Sequence, residues 1–167
     1  MELQIEEINA SHNLDEFICS NKSLDTYLKR NAYYENIMKF ANTKIVTING
    51  KIVAYFTIEF KNIEIDEEDI KETYPAIYLK CLATDKDYEN KGIGTSLLQY
   101  ITVQSQEIAN FIGCRCLLID ALADKVSWYQ DRGFQYLDEE NNEIDITVPM
   151  FIDFRDSDLL IDYFEEV

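Results

Sequence analysis

Apolar and polar residues along the chain fall into a regular series of short strand-like and helix-like runs. Leu3 to Ile8 alternates well enough for a first strand. Leu14 to Cys19 and Ser23 to Phe40 read as helices. In the second, Leu24, Tyr27, Leu28, Ala32 and Tyr34 to Met38 form a helical stripe, and Asn21 or Ser23 can cap it. Thr43 to Ile48 and Lys51 to Phe60 are β-rich and joined by Asn49-Gly50, a two-residue hairpin signal because both turn positions favour positive φ. Lys61 to Pro75 is acidic and reads as a connection with a short helix. Ile77 to Thr84 predicts a buried strand, Gly92 to Phe111 a long amphipathic helix ending near Gly113, and Cys114 to Leu122 another buried strand. Asp124 to Arg132 predicts a helix stopped by Gly133. Phe134 to Leu137 and Ile144 to Phe154 predict a last antiparallel pair, and Asp156 to Glu165 a short amphipathic helix.

That order, β-α-α-β-β-β-α-β-α-β-β, predicts an α+β fold: a mixed sheet with helices on both faces. The Ile77 and Cys114 strands should form a central parallel pair around a right-handed crossover. The chain reads as one domain over residues 1–155, with 156–167 a helical extension of it. No repeat, linker or low-complexity block interrupts it.

Composition narrows the class. The chain is 167 residues long and 47% apolar with five Gly and two Pro, enough for a buried core and too apolar for disorder. No apolar run is long enough to cross a bilayer. The opening Met1-Glu2-Leu3-Gln4-Ile5-Glu6 is acidic and lacks the apolar segment of a signal peptide, so a cytoplasmic location and no membrane partner are expected. The net charge of −17 should repel polyanions at long range and attract cationic substrates. The four cysteines, Cys19, Cys81, Cys114 and Cys116, lack the spacing or the histidines of a zinc site, since His12 is alone. They read as reduced, mostly buried thiols, with no metal.

Chemistry concentrates at Glu89-Asn90-Lys91-Gly92-Ile93-Gly94-Thr95, between the Ile77 strand and the long helix. Glycines where a strand turns into a helix let backbone amides converge, and the helix N-terminus adds partial positive charge; the combination suits a phosphate or pyrophosphate. The segment is neither a P-loop nor a dinucleotide-binding fingerprint: Gly-x-x-x-x-Gly-Lys-Ser/Thr is absent, and so is a third glycine.

With Leu82-Ala83-Thr84-Asp85 before it and Thr95-Ser96-Leu97-Leu98 after it, the segment resembles motif A of the GNAT superfamily of acetyl-CoA-dependent N-acetyltransferases. Leu117-Leu118-Ile119-Asp120-Ala121 followed by Trp128-Tyr129-Gln130-Asp131-Arg132-Gly133-Phe134 resembles motif B. The two occur in the right order, and the resemblance covers all but about the last dozen residues. Glu89 departs from the family's Gln or Arg. The opening Phe17-x-Cys19-x-Asn21-x-x-Leu24-Asp25-x-Tyr27-Leu28 and the run Ile77 to Asp85 resemble a subgroup, the GNAT toxins of toxin–antitoxin pairs that acetylate aminoacyl-tRNA.

The resemblance implies a splayed strand at Leu82, Ala83 and Thr84 that pairs with the pantetheine arm of acetyl-CoA. It implies pyrophosphate contacts from Glu89, Asn90, Lys91, Gly92, Ile93, Gly94 and Thr95, and Tyr129 as the acid that protonates the leaving thiolate. Glu59, Glu64 and Asp120 are the candidate bases. The acidic charge favours a primary amine on a small cationic molecule or a protein as acceptor, with the acidic segments Glu64 to Glu72 and Asp138 to Asp145 rimming its side of the sheet. The toxin resemblance implies instead tRNA as acceptor and an antitoxin partner, with Lys29, Arg30 and Lys80 the first basic residues to test. A degenerate acyl-CoA-binding fold is the third reading, and the apolar C-terminal helix would suit a homodimer contact.

Overall fold

The computed structural model describes residues 2–67, 69–138 and 146–166. Seven strands form one sheet in the order β1-β2-β3-β4-β5-β7-β6. They are β1 (Gln4–Glu7), β2 (Asn42–Ile48), β3 (Lys51–Glu67), β4 (Ile70–Thr84), β5 (Cys116–Leu122), β6 (Gln135–Tyr136) and β7 (Thr147–Asp153). The helices are α1 (Lys22–Tyr27), α2 (Tyr33–Ile37), α3 (Ile93–Ile112), α4 (Val126–Gln130) and α5 (Ser157–Glu165). β1, β2 and β3 pair antiparallel in succession, as do β5, β7 and β6. β4 and β5 advance in the same direction: the Arg115 amide donates to Pro75 O at 3.0 Å and Tyr78 Oη to Asp120 at 2.7 Å. The sheet is therefore mixed, and α3 is the crossover within an α+β fold.

The Asn49-Gly50 turn forms as expected, with φ of 50° and 80°. The acidic segment after it differs from the sequence reading. Instead of a loop with a short helix, β3 continues to Glu67 and β4 begins at Ile70. The reason is an alternation among the charges. Ile63 and Ile65 pack on one side with Tyr74, Ala76, Cys116 and Leu118, while Glu64 between them faces out.

The expected helix over Leu14 to Cys19 is only a 3-10 turn, Leu14–Glu16. The expected continuous helix from Ser23 is two short ones, α1 and α2, joined by a π-helical turn at Leu28–Ala32. Asn21 is its cap: Oδ1 accepts the amides of Ser23 at 3.0 Å and Leu24 at 3.2 Å. Cys114 lies outside β5; all four cysteines are free thiols, with Cys81 and Cys116 buried. Burial pushes the Cys81 thiol up to about 11 and the Cys116 thiol up to about 12.

The chain divides into two compact units. The first runs up to Phe60 and takes in Leu79–Val103; the second holds Lys61–Tyr78 and the chain from Gln104 onward. The first is built around Ile8, Phe17, Leu28, Ala32, Ile45, Ile52, Tyr55, Cys81 and Ala83. Phe17 stands edge-on to Tyr55 at 5.5 Å, and Tyr55 Oη donates to Leu24 O at 2.6 Å. This explains the N-terminal motif: Phe17, Leu28 and the Leu24 carbonyl all close on Tyr55, a ring brought by a strand distant in sequence. The second unit packs Ile63, Ala76, Cys116 and Leu118 under Leu137 and Phe151.

Phe17 is wholly buried. Phe17→Ala is expected to destabilise the protein by about 3–5 kcal/mol, the usual loss for emptying an aromatic site. A urea or guanidinium titration checks this; a loss under 1 kcal/mol would show that the N-terminal segment is not part of the core.

Candidate active site

β4 delivers the first part of the site. Ala83 is buried on the core side, while Leu82 and Thr84 are half-buried. The strand ends at Asp85, whose amide donates to Val53 O at 2.8 Å. Asp85 is 2% exposed. Its Oδ1 accepts the Asp87 amide and its Oδ2 the Ile18 amide, both at 3.0 Å. The Lys86 amide returns the contact, donating to Ile18 O at 2.8 Å. The segment around Ile18 is thus pinned to the 3-10 turn Lys86–Tyr88 that follows β4.

The turn then opens into the glycine segment. Asn90 and Gly92 take positive φ, 58° and 81°. A methyl at Gly92 would meet no protein atom within 4 Å, so the left-handed backbone, not crowding within the protein, is what calls for glycine there. Ser96 is the first residue to bond back into α3, its amide donating to Gly92 O at 3.1 Å. The amides of Ile93 and Gly94 precede that ladder, which is the geometry an anionic group uses at a helix start.

Glu89 is half-buried and has a protein partner. Its Oε1 accepts the Ser20 hydroxyl at 2.8 Å, so the pinned N-terminal segment also holds the one residue that departs from the family pattern. Lys91 and Lys51 stand over the Tyr88 ring at 5.0 Å and 5.1 Å, and Lys51 lies 3.7 Å from Asp87. The loop therefore carries ammonium groups beside its carboxylates.

Tyr129 lies in the second unit, on α4. Its ring is edge-on to Trp128 at 4.9 Å and to Phe134 at 5.4 Å, and its carbonyl accepts the Phe134 amide at 3.2 Å. Gly133, at φ 93°, makes the turn that brings Phe134 back. Arg132 lies over Trp128 at 3.9 Å and donates to Trp128 O at 2.8 Å. Trp128 and Phe134 are the walls, and Tyr129 is held between them. Its hydroxyl has no hydrogen-bond partner among the described residues, and burial raises its pKa above the ordinary phenol value. At neutral pH it is a phenol with a proton to give.

The candidate bases fare unevenly. Glu59 lies 3.6 Å from Lys80 Nζ. Asp120 is exposed and occupied by Tyr78. Glu64 is exposed on β3. One member of this network was not legible in the sequence. Glu35 of α2 accepts Lys80 Nζ at 2.9 Å and Tyr27 Oη at 2.7 Å. Burial pushes the Glu35 carboxyl up, but its bonds from Lys80 and Tyr27 win and hold it low. Burial and the Glu35 charge push the Tyr27 phenol well above its usual range. Nothing local in sequence pairs residue 35 with residue 80. Of the expected acidic rims, Glu68 and residues 139–145 lie outside the described residues.

The family model for an acetyltransferase (GNAT) domain matches residues 41–136, more than half the chain, and the chain belongs to that family. It is an acetyl-CoA-dependent N-acetyltransferase, with acetyl-CoA as the acetyl donor. Among curated proteins it is similar to a tRNA-acetylating toxin of Mycobacterium tuberculosis (strain ATCC 25618 / H37Rv), 23% identical over 124 residues, 71% of this chain and 75% of that one. Among solved structures it is similar to AtaT complexed with acetyl-methionyl-tRNAfMet, with a TM-score of 0.79, 21% identity, and 96% and 99% of the two chains covered. It is also similar to a tyrosine-to-phenylalanine mutant of AtaT bound to the C-terminus of the antitoxin AtaR and acetyl-CoA, with a TM-score of 0.75, 20% identity, and 96% and 98% covered. Among the described residues, no helix is long and apolar enough to cross a membrane.

If Ser20 keeps Glu89 off the anion site, Ser20→Ala should raise the Kd for acetyl-CoA and Glu89→Gln should lower it. Each change should be two- to fivefold, the size of an exposed charge acting over several ångströms, roughly 0.5–1 kcal/mol. The double variant should match Glu89→Gln alone. Calorimetry at low salt checks the cycle; additive effects would show that Ser20 acts by another route.

Proposed function

We propose that this chain acetylates the α-amino group of an aminoacyl-tRNA and acts as the toxin of a toxin–antitoxin pair. The observation that carries the reading is the match to a curated tRNA-acetylating toxin over 71% of the chain. The structural likeness to AtaT with acetyl-methionyl-tRNAfMet over 96% of the chain agrees with it. Both favour this acceptor over the small cationic amine that the net charge suggests. The charge of −17 still supports the small-amine reading, because a polyanion is repelled at long range. The partner of the toxin would be an antitoxin, as for AtaT with AtaR.

In this reading the amides from Lys91 to Thr95 hold the pyrophosphate and the open edge of β4 at Leu82, Ala83 and Thr84 aligns the pantetheine. The deprotonated acceptor amine attacks the thioester carbonyl. A carbon–nitrogen bond forms, the carbon–sulfur bond breaks, and the Tyr129 phenol gives its proton to the departing sulfur. The amine's proton leaves through Glu59, Glu64 or Asp120 or through bulk water, and Glu59 stands 3.6 Å from Lys80 Nζ.

Tyr129→Phe should lower turnover by about 10²- to 10⁴-fold with little change in acetyl-CoA affinity. Since burial raises the phenol's pKa, the wild-type kcat should show no alkaline decline from this group below about pH 10. Thiol release with aminoacyl-tRNA, polyamines, small amines and peptides identifies the acceptor. Growth arrest on expression, relieved by Tyr129→Phe, would tie the activity to toxicity; a near-wild-type rate for the variant would leave Tyr129 as packing.

A further inference from the structure

The α1–α2 region inverts the character of the chain. From Lys22 to Lys44 there are five of the fifteen cations and only two of the thirty-two carboxylates, Asp25 and Glu35. Both carboxylates are already in ion pairs, with Lys29 and Lys80 respectively. Lys29 and Lys80, two of the basic residues that tRNA binding would point to, thus each have a carboxylate partner within the protein. Arg30 is exposed and has no carboxylate within ion-pair distance among the described residues. Lys22 and Lys39 are exposed as well.

The same segment is apolar on both faces. Leu28, Ala32 and Asn36, four residues apart, face the protein and are buried. On the opposite side, Arg30, Tyr33, Tyr34 and Ile37 share one face of the helical turns and are exposed, followed by exposed Met38 and Phe40. Tyr34 is 58% and Phe40 60% exposed. Lys39 takes φ 60°, the left-handed turn at the end of α2, and this folds Phe40 back until its ring is 6.4 Å from Tyr34 and edge-on. A helix face of this apolarity is ordinarily covered.

Aromatic rings beside free cations, on the one basic stretch of an acidic protein, match the surface that unpaired nucleotides use: bases stack on the rings while the cations meet the phosphates. We infer that the Arg30–Phe40 face of α2 is where the single-stranded 3′ end of an acceptor RNA docks, through stacking on Tyr34 and Phe40 and a phosphate contact from Arg30. The inference rests on the aminoacyl-tRNA reading above. It also eases the conflict of charge, since contact is made in a stretch whose own residues are net positive.

The test uses the full chain and two aminoacylated RNA minihelices, one with a four-nucleotide 3′ tail and one with a blunt end. Binding is followed by fluorescence anisotropy over a salt series, and acetylation is followed in parallel with methionine methyl ester as a small acceptor. Tyr34→Leu/Phe40→Leu keeps the face apolar and removes the stacking. It should weaken binding of the tailed RNA at least tenfold and leave both acetyl-CoA affinity and methyl ester acetylation unchanged. Arg30→Gln should lower the slope of log K against log salt by about 0.7. Wild-type binding by the leucine variant, or equal binding of tailed and blunt RNA, overturns the inference and leaves the face to an apolar protein partner. If the wild-type protein acetylates the methyl ester and no aminoacyl-RNA, the functional reading itself fails. Acetylation of RNA at an unchanged KM in the leucine variant removes only the docking face.

Discussion

The two amides that converge on Asp85 set the geometry on which the donor side of the site depends. Among the described residues, no cation pairs with this buried carboxylate, and an unbonded charge there would be costly. Its bonds to Ile18 and Asp87 make it tolerable, and each bond shapes something. The Asp87 bond winds the chain into the 3-10 turn Lys86–Tyr88 that leads into Glu89. The Ile18 bond draws in the N-terminal segment, which brings Ser20 to Glu89 and Phe17 to Tyr55. The phosphate-type turn is therefore built from both sides, by the strand that leads into it and by a segment almost seventy residues earlier.

Charge is the property that whole-chain arithmetic describes worst. A net −17 argues against a nucleic-acid partner, whereas the proposed aminoacyl-tRNA acceptor is one. The two are compatible if charge is counted by region. The carboxylates crowd the β3–β4 arms and the C-terminal third, and the α1–α2 stretch is the exception. Within that stretch the ion pairs matter as well as the residue types, because Lys29 and Lys80 each already have a carboxylate partner and Arg30 has none within ion-pair distance among the described residues.

Much of the fold was legible because it rests on local signals. The Asn-Gly turn, the capping Asn21, the glycine ending α4 and the strand–glycine–helix order are all short-range chemistry. What was hidden follows from tertiary override. The acidic run from Lys61 looked like a loop by composition, although Ile63 and Ile65 kept a period of two that marks a strand. The π-helical turn between α1 and α2 leaves no local signature, and the helical stripe there continues across it. At the site, the glycine turn came from its strand–glycine–helix context and Tyr129 from the resemblance to motif B, whereas the Ser20–Glu89 and Glu35–Lys80 pairs join residues 69 and 45 positions apart and no single-sequence pattern announces them.

The chain passes between its two compact units at three points, and none is a loop. The first falls inside β3 between Phe60 and Lys61, the second inside β4 between Tyr78 and Leu79, and the third inside α3 between Val103 and Gln104. Each lies within a continuous strand or helix. A break in a connecting loop therefore does not fall on a boundary between the units, and a cut at any of the three boundaries severs a strand or a helix.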